Sequence, residues 1–187
     1  MATKEDLERF ALRNVSYVLG GSGRETQAGG DDPYSFMRPE FIHPLIVREL
    51  LGWISDPAAT VIAVDLASAN RSNRFFGKFS ITPRGGRTWV EWAGDKGEYF
   101  TYAYVVNSPS GIQMVECHDC GGGSGVFSSV GLFSLERDQA LAEEKDGRFS
   151  ARPRIILKSL GSVTLGDRYW GKIAYEGGFL TVGPDDG

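Results

Sequence analysis

The sequence predicts a mainly β fold, borderline α+β, in which an antiparallel meander forms a barrel or a sandwich. From residue 60 onward, short apolar or alternating runs are separated by turn-forming residues, a pattern typical of strands joined by hairpins. No helical segments of regular length separate these runs, which argues against the crossovers of a parallel sheet. The chain has 187 residues and no internal repeat, so we expect residues 1–187 to fold as a single domain.

Two helices are expected before the meander. Residues 3–19 carry apolar side chains at helical spacing, with Thr3 placed as a cap. Residues 44–54 begin with a proline suited to the first helical position, and their apolar face consists of Ile46, Val47, Leu50, Leu51 and Ile54. Between the two helices, residues 20–38 are rich in Gly, Ser, Asp and Pro, which indicates a mobile loop.

The meander itself is expected to consist of short strands. The first set covers residues 61–66, 74–82, 87–92, 98–106, 112–118 and 126–133. Strong helix formers between residues 135 and 146, followed by Gly147, predict a short helix near 135–146. Further strands are expected at residues 154–158, 163–165, 169–175 and 179–182.

Charge and hydropathy exclude several classes of partner. A net charge of -4 argues against nucleic acid, and the basic and aromatic residues between 71 and 89 alternate as in an ordinary half-buried strand. The longest apolar stretches are too short and too charged to cross a bilayer, and residues 1–6 lack the apolar segment of a signal peptide. We therefore expect a soluble, cytoplasmic protein with no membrane partner.

Reactive side chains concentrate in residues 117–125, where both cysteines and one of the two histidines precede a glycine run. The Cys-x-x-Cys spacing of Cys117 and Cys120 makes them candidate metal ligands or a redox pair. A structural zinc site usually needs a second pair of ligands, which the sequence lacks, so ordinary thiols are the alternative. The glycine run does not match a phosphate-binding loop, and we predict no cofactor.

Strand alternation gives this segment one further candidate chemistry. Glu116 and His118 fall on one face and Cys117 on the other, so the carboxylate can orient the imidazole for acid–base catalysis. The candidate catalytic residues are Glu116, Cys117, His118 and Asp119, with Cys117 as nucleophile and His118 as base. A histidine and a glutamate on a solvated sheet face are the plainer interpretation.

Aromatic residues on two neighbouring strands suggest a ligand surface. The candidates are Trp89, Trp92, Tyr102 and Tyr104, because aromatic side chains with a polar atom often line pockets and interfaces. Core and cross-strand packing is the alternative explanation.

No nucleophile–base pair, metal set or cofactor loop is complete in the sequence. We therefore expect a non-catalytic binding or protein-interaction module whose partner is a protein or a small-molecule ligand of unknown identity. The alternative is a small hydrolytic, redox or metal-dependent enzyme that uses residues 116–120.

Overall fold

The computed structural model describes residues 34–36, 40–52, 61–66 and 78–184. The helix expected at residues 3–19 and most of the loop expected at residues 20–38 lie outside these ranges. Among the residues described, Ala140–Arg152 belong to one compact unit and the others to a second, larger one. The expectation of a single domain stays a prediction.

The main sheet is a seven-stranded antiparallel meander, which confirms the predicted fold class. Its spatial order is β3-β9-β8-β7-β6-β5-β4, so consecutive strands from β4 to β9 are neighbours. Within the described ranges the edge strands β3 and β4 pair on one side only, and the sheet is open. The strands are β3 (Ala63–Asp65), β4 (Ser80–Arg84), β5 (Arg87–Ala93), β6 (Glu98–Asn107), β7 (Gln113–Gly121), β8 (Phe127–Glu143) and β9 (Phe149–Asp167).

Two small strand pairs accompany the main sheet. The strands β1 (Tyr34–Ser35) and β2 (Glu40–Phe41) are parallel. After the meander, β10 (Ile173–Glu176) and β11 (Phe179–Val182) form an antiparallel hairpin. In the described part of the chain, no helix is long and apolar enough to span a membrane.

One α-helix, α1 (Pro44–Leu51), lies within the described residues, close to the range expected for the second helix. Pro44 occupies the first turn, and Nδ1 of His43 caps the helix by accepting a hydrogen bond from the backbone N–H of Leu45 at 3.2 Å. The helix ends at Leu51. The next residue, Gly52, has a φ of 68°, a conformation that is unfavourable for residues with a side chain.

The prediction of a short helix near residues 135–146 is wrong. These residues continue β8 as far as Glu143 and then turn into β9. Intrinsic helix propensity is worth only a fraction of a kcal/mol per residue, and hydrogen bonding to a neighbouring strand overrides it. The two strands expected at 154–158 and 163–165 are likewise parts of the single strand β9.

Each face of the sheet packs against a different cover. On one face, α1 contributes Ile46, Val47 and Leu50 to a core that includes Tyr102 and Phe133 of the sheet. On the opposite face, the sheet residues Met114 and Val130 pack with Tyr169 and with Ile173 of β10. The sheet therefore lies between α1 and the segment that contains the β10–β11 hairpin.

Gly131 in β8 lies where Leu51 of α1 packs closely against the sheet. A Cβ at this position would lie 2.5 Å from a ring carbon of Phe133 and 3.0 Å from Cδ2 of Leu51. Replacing Gly131 with Ala is expected to lower the free energy of unfolding by about 1–3 kcal/mol, because overpacking forces neighbours out of place. Urea denaturation would measure the change.

Gly123→Ala is the matched control, since a Cβ there would meet nothing within 4 Å. Equal stability of the two variants would contradict the tight contact at Gly131.

Candidate functional site

A row of polar side chains crosses the sheet on the face opposite α1. Directly paired residues of antiparallel strands share a face, and the register aligns Glu91, Thr101, His118 and Ser128 on β5, β6, β7 and β8. Glu116 lies on this face too, as alternation predicts. Cys117 faces α1 and belongs to the core on that side.

His118 is the centre of a buried set of hydrogen bonds, which we call the His118 network: Arg87, Glu116, His118 and Ser128. Nε2 of His118 lies 3.1 Å from Oε1 of Glu116, and Nδ1 lies 2.9 Å from Oγ of Ser128. Arg87 forms an ion pair with the second carboxylate oxygen of Glu116 and donates to the backbone carbonyl of Ile173 at 3.3 Å. The network therefore ties β5, β7 and β8 to β10.

The charge of Glu116 fixes how the network is protonated. Burial by itself raises the pKa of Glu116, but the hydrogen bond with His118 and the charge of Arg87 outweigh it and the pKa is lowered. The ionised carboxylate accepts the N–H at Nε2, so a neutral imidazole offers Nδ1 as acceptor to the Ser128 hydroxyl. A protonated imidazole instead donates from Nδ1, and Ser128 can turn its proton to the carbonyl of Tyr169, 3.4 Å away. Both states keep every ring nitrogen bonded.

Four planar groups stack along this face. The His118 ring lies between Trp89 and Trp170, with both centroid distances at 5.1 Å. The Arg84 guanidinium lies over the Trp89 ring, 4.6 Å from its centroid. This stack fixes the plane of the imidazole and brings Trp170, from the segment after β9, over the sheet.

A half-open cleft of about 280 Å³ lies beside the stack, and we call it the His118 cleft. Its lining combines aromatic, acidic and basic side chains with the backbone of the turn before β6. Trp170 is 55% exposed and forms one wall. The charged and aromatic residues of the lining are Arg84, Glu91, Glu98, Tyr99, His118 and Trp170.

The two cysteines lie on opposite faces of β7. Burial raises the pKa of the Cys117 thiol, which disfavours the thiolate that a nucleophile or a metal ligand requires. Cys120 is also buried, and its thiol lies 3.5 Å from the carbonyl of Gly123. Among the residues that the structure describes, no group of three or more His, Cys, Asp or Glu is placed to hold a metal ion.

The sheet separates Asp119 from the catalytic candidates Glu116 and His118, whereas Cys117 lies on the same face as Asp119. It faces α1, where Arg48 donates to it from Nε at 2.9 Å and to Glu98 from an Nη nitrogen at 2.6 Å. Burial raises the pKa of Asp119 despite the adjacent guanidinium. The Arg48 side chain thus joins the helix to β6 and β7.

The four aromatic candidates are divided between the two faces. Trp89 lies in the His118 stack, whereas Trp92 lies on the α1 side with the Arg48 guanidinium 5.9 Å from its ring centroid. Tyr102 is buried and donates a 2.6 Å hydrogen bond to the carbonyl of Ile42. Tyr104 packs against the same core. They do not form one common surface.

Several residues of the site were not selected from the sequence: Arg84, Arg87, Glu91, Ser128 and Trp170. Glu91 and Ser128 lie on the same row as His118 because of the strand register. The lengths of the hairpin turns set this register and were the signal that could have identified both residues. Trp170 lies 52 positions after His118, and no local pattern marks it as a neighbour of the imidazole.

The ion pair between Arg87 and Glu116 is expected to make the free energy of unfolding depend on pH. Because folding lowers the pKa of Glu116, its stabilising contribution is present at neutral pH and is lost as the pH falls through the lowered value. Glu116→Gln is expected to cost about 2 kcal/mol at neutral pH, the scale of a hydrogen bond to a charged group. The difference from the unsubstituted protein should shrink in acid, and urea denaturation across pH measures it.

The exposed Glu176 provides a control, since Glu176→Gln removes a carboxylate without touching the network. A gap between the unsubstituted protein and Glu116→Gln that stays constant down to strongly acidic pH would contradict the ionised state of Glu116.

The His118 cleft and the His118 network lie on one sheet face and share the imidazole. No family model matches the chain, and no similar curated protein or solved structure is found. The chemistry of these residues is therefore the basis for a functional proposal.

Proposed function

We propose that the protein is a non-catalytic binding module and that the His118 cleft takes a small organic ligand. The observation that carries the proposal is the cleft itself, a concave site with an exposed tryptophan wall and several convergent polar side chains. Ligand sites combine aromatic surface with a few placed polar groups in this way, and a volume of about 280 Å³ is suited to a small molecule.

The rigidity of the cleft supports binding by a preformed site. The His118 ring is held by hydrogen bonds at both nitrogens and by a tryptophan on each side. A ligand that contacts a fixed wall does not have to order it, which reduces the entropic cost of association. We assign this binding to the cytoplasm, in keeping with two free thiols that lie on opposite faces of one strand.

An enzyme that uses the same residues is the second candidate. Ser128, His118 and Glu116 follow one another through hydrogen bonds, as in a serine hydrolase, although the serine contacts Nδ1 and the carboxylate contacts Nε2. Access counts against this candidate, because Ser128 is 0% exposed and His118 only 1%. A nucleophile has to reach its substrate, whereas a buried serine serves to orient the imidazole.

Removing the tryptophan wall tests the binding proposal. Ligand-observed NMR with a fragment library that includes free amino acids should give hits for the full chain. Trp170→Ala should weaken their affinity by about fivefold or more, since an aromatic contact contributes about 1 kcal/mol. Phe179→Ala is the control, because this residue is 75% exposed and lies outside the cleft lining. Hits that bind both variants equally, or no hits at all, would count against the cleft.

The two candidates are separated by a serine-reactive probe. A fluorophosphonate labels activated serines that are accessible, so Ser128 is expected to stay unlabelled. Mass spectrometry of the treated protein reads the result, with Ser128→Ala as the reference. Stoichiometric labelling that disappears in Ser128→Ala would favour the enzyme.

A further inference from the structure

Two side chains of opposite charge line the His118 cleft without a charged partner. Among the residues that the structure describes, neither the guanidinium of Arg84 nor the carboxylate of Glu91 has an ion pair within 4.0 Å. The Arg84 guanidinium contacts the face of Trp89. Glu98 also belongs to the lining, but its carboxylate is held by Arg48 at 2.6 Å on the α1 side. The lining therefore presents one available positive charge and one available negative charge.

Strand register places these two charges on the same face and apart from each other. Arg84 is opposite Arg87, and Glu91 is opposite Ser80, so their Cα atoms are separated by about 14 Å at the rise of an antiparallel strand. Trp89 lies between these positions, and the Arg84 side chain extends over its ring. The guanidinium is thus directed along the sheet toward the cleft, with Glu91 at the far side.

We infer that the His118 cleft recognises a small zwitterion of the α-amino acid type. Its carboxylate would bind the Arg84 guanidinium, which matches the geometry of a carboxylate, and its ammonium group would bind Glu91. The substituent would lie against Trp170 and Tyr99, both of which line the cleft. This inference rests on the proposed binding function and adds the class of ligand.

Charge balance favours a zwitterion over a ligand with a single charge. A cation placed between the two side chains would gain Glu91 but would face the like charge of Arg84. An anion would gain Arg84 but would face Glu91. A neutral ligand would leave both charges with less water and without a partner, which is costly. Only a ligand that carries both charges satisfies both walls.

The test uses the full-length chain and four probes that share a phenylethyl skeleton and differ in charge. They are L-phenylalanine, 3-phenylpropanoate, 2-phenylethylamine and 3-phenylpropanamide. Isothermal titration should give the tightest binding for L-phenylalanine, about tenfold or more over each of the other three. Arg84→Gln should weaken L-phenylalanine and strengthen 2-phenylethylamine relative to it. Glu91→Gln should weaken L-phenylalanine and favour 3-phenylpropanoate. Glu176→Gln, outside the cleft, should leave the order unchanged.

The outcomes separate the ligand class from the cleft. If a singly charged or neutral probe, or a library hit without both charges, binds best and is weakened by Trp170→Ala, the zwitterion is overturned and the binding function stands. If neither L-phenylalanine nor any other library member binds in a manner sensitive to Trp170→Ala, both proposals fail. If the probes bind Arg84→Gln and Glu91→Gln in the same order of affinity as the unsubstituted protein, the roles of Arg84 and Glu91 are also overturned.

Discussion

The need of a buried imidazole for two hydrogen-bond partners organises one whole face of this protein. His118 lies beneath Trp170, and its two nitrogens are bonded to Glu116 and Ser128. An unpaired nitrogen in such a place would cost a large fraction of a small domain's stability. Glu116 in turn requires Arg87, which reaches the backbone of β10. A single polar residue thus connects the sheet to the segment that covers it.

The burial of the His118 network bears on its resemblance to a catalytic set. The order of serine, histidine and glutamate resembles a set of catalytic groups, yet each of them is buried and each proton has a place in both charge states of the imidazole. The hydrogen bonds of the network therefore hold the imidazole in one orientation. The lining of the adjacent His118 cleft includes Trp170, Arg84 and Glu91, which are more accessible than the network.

The two faces of the sheet use charge in different ways. On the α1 side, Arg48 joins two carboxylates, Glu98 and Asp119, and all three charges are engaged within the fold. On the cleft side, Arg87 is engaged by Glu116, whereas Arg84 and Glu91 remain without an ion pair in the described residues. Strand alternation, which sends neighbouring residues to opposite faces, thus separates the ion pairs of Arg48 from the charges on the cleft side.

The sequence by itself determined the meander, the helix that begins at Pro44 and the shared face of Glu116 and His118, because turn residues and two-residue alternation are local signals. The helix-forming residues near 140 led to a wrong prediction of a helix, because pairing between β8 and β9 outweighs intrinsic helix propensity. Only the tertiary structure decided which residues accompany His118. Glu91 and Ser128 arrive through strand register, and Trp170 through the return of the chain after β9. In the sequence, the thiols make the segment from Cys117 to Cys120 a candidate site. In the structure both thiols are buried, so His118 and its distant neighbours are the remaining functional candidates.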